Sequence, residues 1–265
     1  MSESESSFAG RFDHGGRSLA NRIAVVTGGS SGIGAACVRA LAEQGATVVI
    51  GYNCGADRAE ALRDSLPGSG HRCMPIPLSG ETNANRYEAL IAELSASSGK
   101  VDILVNSAGF TKRIPHTDLD TLDPALFNEI LVTNAGGTFA VTRAFMPLLR
   151  ASGDAVVVNI SSVSAFTGAG SNIAYCASKA ALDTMTKSFA RAFGHGIRFL
   201  SVSPASVDTD FVGGRNREEL ASKAAKTPLG RIVTPEDVAD AVIACATHLR
   251  TATGTHIVID GGHTL

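Results

Sequence analysis

The sequence predicts an α/β fold, a single doubly wound parallel sheet of about seven strands with helices on both faces. Short runs rich in β-branched residues alternate about six times with longer alanine- and leucine-rich segments, which is typical of right-handed β–α–β units. Most short runs are continuously apolar, which indicates strands covered on both faces. The chain has 265 residues, of which 44% are hydrophobic and 18% charged, so a sizeable core is expected.

The predicted elements follow one another along most of the chain. The strands are expected at 22–28, 46–52, 71–78, 101–109, 154–162, 197–204 and 255–261. The helices are expected at 32–44, 56–66, 84–98, 123–150, 174–194 and 235–248. The last helix has clear start signals, since Thr234 can cap its first amides and Pro235 suits its first turn. Residues 205–233 fit neither pattern and are predicted to be a substrate loop after a strand end.

We expect a single dinucleotide-type domain over residues 20–265, preceded by a flexible tail over residues 1–19. The tail is polar without an apolar run of signal-peptide length, and no run approaches a membrane span. A net charge of -2 does not indicate a nucleic-acid partner. Five scattered cysteines and seven histidines without zinc-binding spacing indicate reduced thiols and no metal site. We therefore expect a cytoplasmic protein with neither nucleic-acid nor membrane partners.

A glycine-rich turn, TGGSSGIG, joins the first strand to the first helix. Gly28 and Gly34 permit a sharp turn and a close approach of the backbone to a pyrophosphate. The N-terminus of the helix then offers unpaired N–H groups to the phosphate, and Ser30 and Ser31 could add hydroxyl contacts. A purely structural turn would also tolerate glycines. The order of strand, glycine turn and helix is what favours a dinucleotide.

Tyr175 and Lys179 lie four residues apart in the segment IAYCASKAAL and so share one face of a predicted helix. Reduction of a carbonyl by hydride needs a proton for the developing alkoxide, which a tyrosine can supply. The ordinary pKa of tyrosine, near 10, makes it a slow acid at neutral pH, but a nearby ammonium favours the phenolate. Singly, each residue could be structural; together they predict a proton donor and its electrostatic partner.

Seven motifs in order resemble those of the short-chain dehydrogenase/reductase family, including its 3-oxoacyl-(acyl carrier protein) reductases. They are TGxxxGxG at 27–34, NSAG at 106–109, VTNAGGTF at 132–139, NISS at 159–162, YCASK at 175–179, SPASVDT at 203–209 and VIDGG at 258–262. The resemblance covers residues 20–265. It implies a Rossmann-type fold, NAD(P)-linked oxidoreduction of a carbonyl or secondary alcohol, and a homotetramer formed through 123–150, 174–194 and the last strand.

The resemblance also implies the roles of individual residues. Ser162, thirteen residues before Tyr175, would bind the substrate carbonyl, with Ser161 as the alternative. Tyr175 would transfer the proton, Lys179 would also bind the nicotinamide ribose, and Asn134 would hold a water of a proton relay. The implied cofactor contacts are Gly28, Ser30, Ser31, Ile33, Gly34, Tyr52, Asn106, Ala108, Gly109, Tyr175, Lys179, Pro204, Val207 and Thr209.

The end of the second strand favours NADP(H), with NAD(H) possible. NAD-preferring relatives usually carry an acid there, whereas this chain has Tyr52, and Arg58 follows close by. The basic residue that many NADP-dependent relatives carry in the glycine loop is replaced by Ser31. Two further departures are Ser79, where the family often has an aspartate that seats adenine, and Ala205, where it has a glycine.

The predicted substrate pocket lies between 110–116, 164–167 and 205–226. Its walls would include Phe166, Phe211 and Val212, with Arg113, Arg215 and Arg217 nearby as solvated residues or as anion contacts. The leading hypothesis is an NADP(H)-linked reductase of a small ketone or 3-oxoacyl thioester. The alternatives are an NAD-dependent steroid or polyol dehydrogenase and a non-catalytic dinucleotide-binding sensor.

Overall fold

The computed structural model of the protein describes residues 18–78, 87–214 and 216–265. Ser79, Arg215 and most of the predicted tail, residues 1–17, lie outside the described residues. Leu19 falls within the predicted tail but is 4% exposed and packs in the hydrophobic core. Its amide donates to the carbonyl of Gln44 at 2.8 Å. Leu19 is therefore held by the domain.

Seven parallel strands form one sheet within the described ranges, in the order β3-β2-β1-β4-β5-β6-β7. The strands are β1 (Ile23–Thr27), β2 (Thr47–Tyr52), β3 (Arg72–Pro75), β4 (Ile103–Asn106), β5 (Ala155–Ile160), β6 (Ile197–Pro204) and β7 (Thr255–Ile259). The predicted fold class is confirmed, and each predicted strand is found, some of them shorter by a few residues.

The helices cover the two faces of the sheet. They are α1 (Gly32–Glu43), α2 (Ala56–Ser65), α3 (Glu88–Ser97), α4 (Pro124–Leu131), α5 (Gly137–Ser152), α6 (Ser164–Thr167), α7 (Ile173–Phe193), α8 (Arg217–Ala224) and α9 (Pro235–Thr247). Among the described residues, no helix combines the length and the apolarity needed to cross a bilayer.

Three segments differ from the sequence prediction, and one of them is α6, which forms where no helix was expected. The helix predicted at 123–150 is divided, because a π-helical turn at Val132–Gly136 separates α4 from α5. The predicted loop at 205–233 contains α8, where the side chain of Asn216 caps the helix by accepting the amide of Glu219 at 2.8 Å. The cap and the acidic first turn were visible in the sequence. However, α8 is short and mostly polar, so its apolar periodicity is weak.

Both faces of the sheet are apolar because successive strand residues point to opposite sides. Ala24 and Val26 of β1 pack in the cluster that includes α1 and α9. Val25, between them, packs in the second cluster, with α3 and α5. Helices therefore bury both sides of the central strands, which explains their continuous apolar runs.

The order of the strands creates a crevice beyond the ends of β1 and β4. The next strand along the chain, β2, pairs with one edge of β1, and β4 pairs with the opposite edge of β1. Open α/β sheets bind ligands at such a point. The Thr27 hydroxyl holds the two strand ends together by accepting the amides of Ser107 and Ala108, each at 3.1 Å.

Candidate active site

A cavity of about 1060 Å³ opens at the carboxyl ends of the strands. Its walls are the glycine turn, the loops that follow β4, β5 and β6, the first turns of α7, part of α8 and the segment after β7. Of the predicted site residues, it brings together Ser162, Tyr175, Lys179, Gly28, Ser31, Ile33, Gly34, Ala108, Gly109, Pro204, Val207 and Thr209. Residues that lie more than 140 positions apart in the sequence therefore line the same cavity.

The glycine turn packs so closely against the chain's own backbone that a side chain at either of two positions would clash. Gly28 has φ +64°, and a Cβ there would lie 2.9 Å from Cα of Ala108. A Cβ on Gly34 would lie 2.2 Å from the carbonyl oxygen of Gly28. Ser31 precedes α1 without a side-chain cap bond, and the first turn of α1 has no acid. The residues present thus fit a dinucleotide pyrophosphate.

The start of α7 is anchored so that Tyr175 and Lys179 face the cavity. Asn172 caps the helix by accepting the amide of Tyr175 at 2.7 Å, and its Nδ2 donates to the carbonyl of Lys112 at 2.8 Å. The Nζ of Lys179 donates to the carbonyl of Ile160 at 2.7 Å and lies 5.6 Å from the centroid of the Tyr175 ring. The predicted juxtaposition of phenol and ammonium is therefore found.

The ammonium of Lys179 is almost completely buried. Burial lowers the pKa of Lys179 to about 8 from an ordinary 10.5, and the negative charge of Asp183, one turn further along α7, opposes this fall. The Oδ1 atom of Asp183 is itself buried and has no hydrogen-bond partner among the described residues. Sequence reasoning missed Asp183, although its spacing places it on the face of Tyr175 and Lys179.

Ser162 and Ser161 both line the cavity, but their hydroxyls have different surroundings. The Oγ of Ser162 donates to the Oγ of Ser164 at 3.1 Å and accepts the amide of Ser164 at 3.1 Å. The Oγ of Ser161 donates to the backbone carbonyl of Lys179 at 3.3 Å and so ties β5 to α7. Ser162 is therefore the better candidate for a substrate contact.

Asn134 lies in the π-helical turn and is 1% exposed, outside the cavity lining. Its Oδ1 accepts the amide of Phe110 at 2.9 Å, and its Nδ2 donates to the carbonyl of Phe110 at 3.0 Å and to Ser178 at 3.1 Å. These bonds join the loop after β4 to α7. The role of Asn134 in a proton relay stays a prediction, and its contacts are those of a positioning residue.

Asn106 differs from its prediction as a cofactor contact. Its side chain is buried, and Nδ2 donates to Thr142 at 3.1 Å and to Asn159 at 2.9 Å. Side chains alternate along a strand, and this last residue of β4 points towards α5 and β5 instead of the cavity. Ser30 and Tyr52 also lie outside the cavity lining.

The substrate side of the cavity differs from prediction in part. Phe211 and Val212 line it, and the rings of Phe211 and Tyr175 are 6.0 Å apart at their centroids. Phe166 lies outside the lining and stacks on His256, with ring centroids 5.5 Å apart. Arg217 also lies outside it. The lining also includes charged or titratable residues that were not singled out from the sequence, Asp208, Asp210, Glu219, Lys223 and His263.

Comparisons with known proteins agree with this arrangement. A family model described as enoyl-(acyl carrier protein) reductase matches residues 28–264. The chain belongs to the short-chain dehydrogenase/reductase family. Proteins of this family are oxidoreductases that use NAD(P)(H), and this chain is one that acts on alcohols or ketones.

Relatives within the short-chain dehydrogenase/reductase family span nearly the whole chain. The cis-4-hydroxycyclohexanecarboxylate dehydrogenase of Sinomonas cyclohexanicum is 36% identical over 253 residues, which are 94% of this chain and 99% of the relative. The galactitol 2-dehydrogenase of Rhizobium johnstonii is 35% identical over 248 residues, 91% and 94% of the two chains. A dehydrogenase/reductase structure from Sinorhizobium meliloti 1021 has a TM-score of 0.81 and 34% identity, covering 94% and 98%.

The buried ammonium predicts how stability depends on pH. Because the folded pKa of Lys179 is about 8 and the ordinary value is 10.5, the unfolded chain binds more protons between these values. The penalty for burying the charge is therefore present below about pH 8 and is relieved as the pH rises towards 10.5. We expect the unfolding free energy of the wild type, minus that of Lys179→Met, to rise across this window by on the order of 3 kcal/mol.

Denaturant titrations at matched pH values measure this difference. Cys37 and Cys245, whose pKa values burial raises to about 12, act equally in both proteins and cancel. Lys187→Met, which removes an exposed ammonium from the same helix, controls for the loss of one charge. A difference that stays level or falls over the window would contradict the burial cost assigned to Lys179.

Proposed function

We propose that the protein is an NADP(H)-dependent reductase of ketones, with 3-oxoacyl compounds among its substrates. The observation that carries the proposal is the shared cavity wall of Ser162, Tyr175 and Lys179 beside a glycine turn that fits a dinucleotide. The family model is described as enoyl-(acyl carrier protein) reductase, and the acyl part of that description supports the acyl class. The non-catalytic alternative loses support because the serine, tyrosine and lysine are all present in the cavity.

The nicotinamide supplies or accepts the hydride when bound, and the chain supplies the proton and the orientation. Ser162 would donate to the substrate carbonyl oxygen while the amide of Ser164 holds its Oγ in place. Tyr175 would give its proton to the same oxygen as charge develops on it. Lys179, fixed by the carbonyl of Ile160, would stabilise the phenolate that remains.

A substrate panel tests this proposal directly. The panel contains acetoacetyl thioesters, diketones, quinones, steroids and 4-oxocyclohexanecarboxylate, the ketone corresponding to the alcohol named for the Sinomonas relative. We expect NADPH oxidation with at least one member. Tyr175→Phe should slow that turnover by about 100-fold or more, while the Kd for NADPH rises by no more than about tenfold, the size of one lost hydrogen bond.

Tyr87→Phe is the matched control, because its hydroxyl donates to the carbonyl of Pro77 away from the cavity. This variant should keep turnover near that of the wild type. Tight NADPH binding without turnover of any panel member would contradict the proposal and favour a dinucleotide sensor. Full turnover by Tyr175→Phe would contradict the proposed proton donor.

Two polar groups converge where an adenosine 2′-phosphate is expected. A Cβ built on Gly55 would lie 2.7 Å from both Ser30 Oγ and Arg58 Nη2, which places the hydroxyl and the guanidinium side by side near the end of β2. Tyr52, the last residue of β2, brings no negative charge. A guanidinium binds phosphate oxygens through directed, charge-assisted hydrogen bonds. These contacts support NADP(H) as the cofactor.

Arg58→Ala tests the cofactor preference. We expect the Kd for NADPH to rise about tenfold, the size of one charge-assisted hydrogen bond, while the Kd for NADH stays within about twofold. Fluorescence titration with both cofactors measures this. Arg63→Ala, on the same helix and paired with Asp64, is the matched control. An equal effect on both cofactors, or none on NADPH, would contradict the assignment.

For the alternative of an NAD-dependent polyol dehydrogenase, the name of one relative supports the polyol substrate but does not give the cofactor. The relative from Rhizobium johnstonii is named a galactitol 2-dehydrogenase. The Arg58→Ala titration separates the two possibilities, since an NAD-dependent enzyme has no 2′-phosphate for Arg58 to bind.

We also infer a homotetramer. Exposed apolar side chains lie on the elements expected to form its interfaces, Val132 and Phe139 at the junction of α4 and α5 and Val258 on β7. Such residues are commonly covered by a second subunit. Light scattering should give a mass near four times 27.2 kDa. A stable monomer at micromolar concentration would contradict the inference.

A further inference from the structure

A carboxylate held between two cations lies at the mouth of the cavity. Nη1 of Arg113 is 2.9 Å from Oε2 of Glu219, and Nη2 is 3.0 Å from Oε1. Nζ of Lys223, one turn along α8, is 3.2 Å from Oε1. All three residues line the cavity and are partly exposed. We call them the carboxylate cluster.

Glu219 is anionic in this cluster. Hydrogen bonds from Lys223 and Arg113 hold its pKa below the usual range. The cluster therefore carries two positive charges and one negative charge. The guanidinium presents both terminal nitrogens to one carboxylate, an arrangement that matches any planar carboxylate of the same size.

The cluster joins two segments of the cavity wall that are distant in sequence. Arg113 lies in the loop after β4, and Glu219 lies in the first turn of α8, 106 residues later. Phe211, between β6 and α8, has its ring 6.0 Å from that of Tyr175. Arg113, Phe211 and Tyr175 all line the cavity, so the guanidinium and the tyrosine border the same substrate space.

Exchange of partners at Arg113 leaves no charge unpaired. When another carboxylate takes the guanidinium, Glu219 keeps Lys223 four residues along its own helix. One carboxylate replaces another of equal charge, so the exchange avoids the large cost of stranding a charge. A neutral substrate offers carbonyl oxygens to the guanidinium but no negative charge to replace that of Glu219.

We propose that Arg113 selects substrates that carry a carboxylate in addition to a ketone. Glu219 holds the guanidinium in place until the carboxylate of such a substrate takes the place of the Glu219 carboxylate. This inference rests on the proposed reductase function and names the substrate class of the same site. Arg113 is in this role a specificity-determining residue, since it touches the substrate but not the reacting atoms.

The other charges of the cavity do not produce a general attraction for anions. Asp208 and Asp210 line it as well, and Asp208 faces Arg217 at 3.5 Å. The negative charges of Asp208 and Asp210 offset the positive charge of Lys179 and the net positive charge of the carboxylate cluster, so the described residues of the cavity lining have no net charge. The expected preference for carboxylates therefore depends on the paired donors of Arg113 and not on net charge.

A matched pair of probes tests this inference, 4-oxocyclohexanecarboxylate and its methyl ester, with the full chain and NADPH. We expect a lower KM for the acid. Arg113→Ala should raise the KM for the acid about tenfold or more, as for the loss of a charged hydrogen-bond partner, and leave that for the ester within about twofold. Glu219→Gln should lower the KM for the acid about threefold, because it weakens the competing ion pair.

A purely structural role for the ion pair predicts a different pattern. If the pair only braced α8 against the loop after β4, removal of either partner would raise KM for acid and ester alike. Lys226→Ala is the matched control, since this lysine lies on the same segment but not on the cavity wall. Equal KM values for acid and ester, or shifts of the same sign in Arg113→Ala and Glu219→Gln, would overturn the inference.

A binding measurement keeps the test independent of turnover. Isothermal titration of the acid and the ester into protein saturated with NADP⁺ should show the same order of affinities and the same opposite shifts in the two variants. Failure of the reductase proposal would appear as no turnover across the whole substrate panel. Failure of the carboxylate inference would appear as equal binding of acid and ester.

Discussion

The buried ammonium of Lys179 is the constraint on which the site depends. Burial disfavours its charge, and two neighbours offset this cost, the carbonyl of Ile160 at 2.7 Å and the negative charge of Asp183. One neighbour belongs to β5 and the other to the next turn of α7. A rotation of α7 against the sheet would separate the ammonium from the carbonyl. The interaction that makes the cation tolerable therefore also fixes the direction of Tyr175.

A chain of buried hydrogen bonds between the strands and α7 also fixes the position of α7, which carries Lys179 and Tyr175. Asn106 donates to Asn159 at 2.9 Å, Asn159 donates to Thr186 at 2.8 Å, and Thr186 shares a bond of 2.9 Å with Ser201. The chain connects β4, β5, α7 and β6. Oδ1 of Asn106 has no hydrogen-bond partner among the described residues, but its Nδ2 and the side chains after it are bonded in sequence. Buried polar groups that bond to one another allow few alternative arrangements. The polar network thus holds α7 in one register against the strands whose ends form the cavity.

Local patterns predicted the parts of the structure that local physics determines. Continuous apolar runs gave the strands, and the spacing of Tyr175 and Lys179 gave their shared helix face. The burial of Asn106 was missed because it depends on Asn159, which is 53 residues away. The sequence prediction placed Phe166 on the cavity wall. Its actual contact, His256, lies 90 residues further along the chain, and no local pattern indicates it. The π-helical turn containing Asn134 and the short polar helix α8 have no strong apolar period to reveal them.

The two charged sites of the cavity lie at different depths for a physical reason. A cation that stabilises a phenolate is most effective where water is excluded, and Lys179 is 5% exposed. A group that must release one carboxylate and bind another has to avoid the desolvation cost of a buried pair, and half the side chain of Arg113 is exposed. A substrate that spans from Arg113 to Tyr175 would be held at two points, which restricts its orientation at the proton donor. Binding energy from the carboxylate end would then serve the chemistry at the ketone end, so selectivity and rate would come from the same geometry.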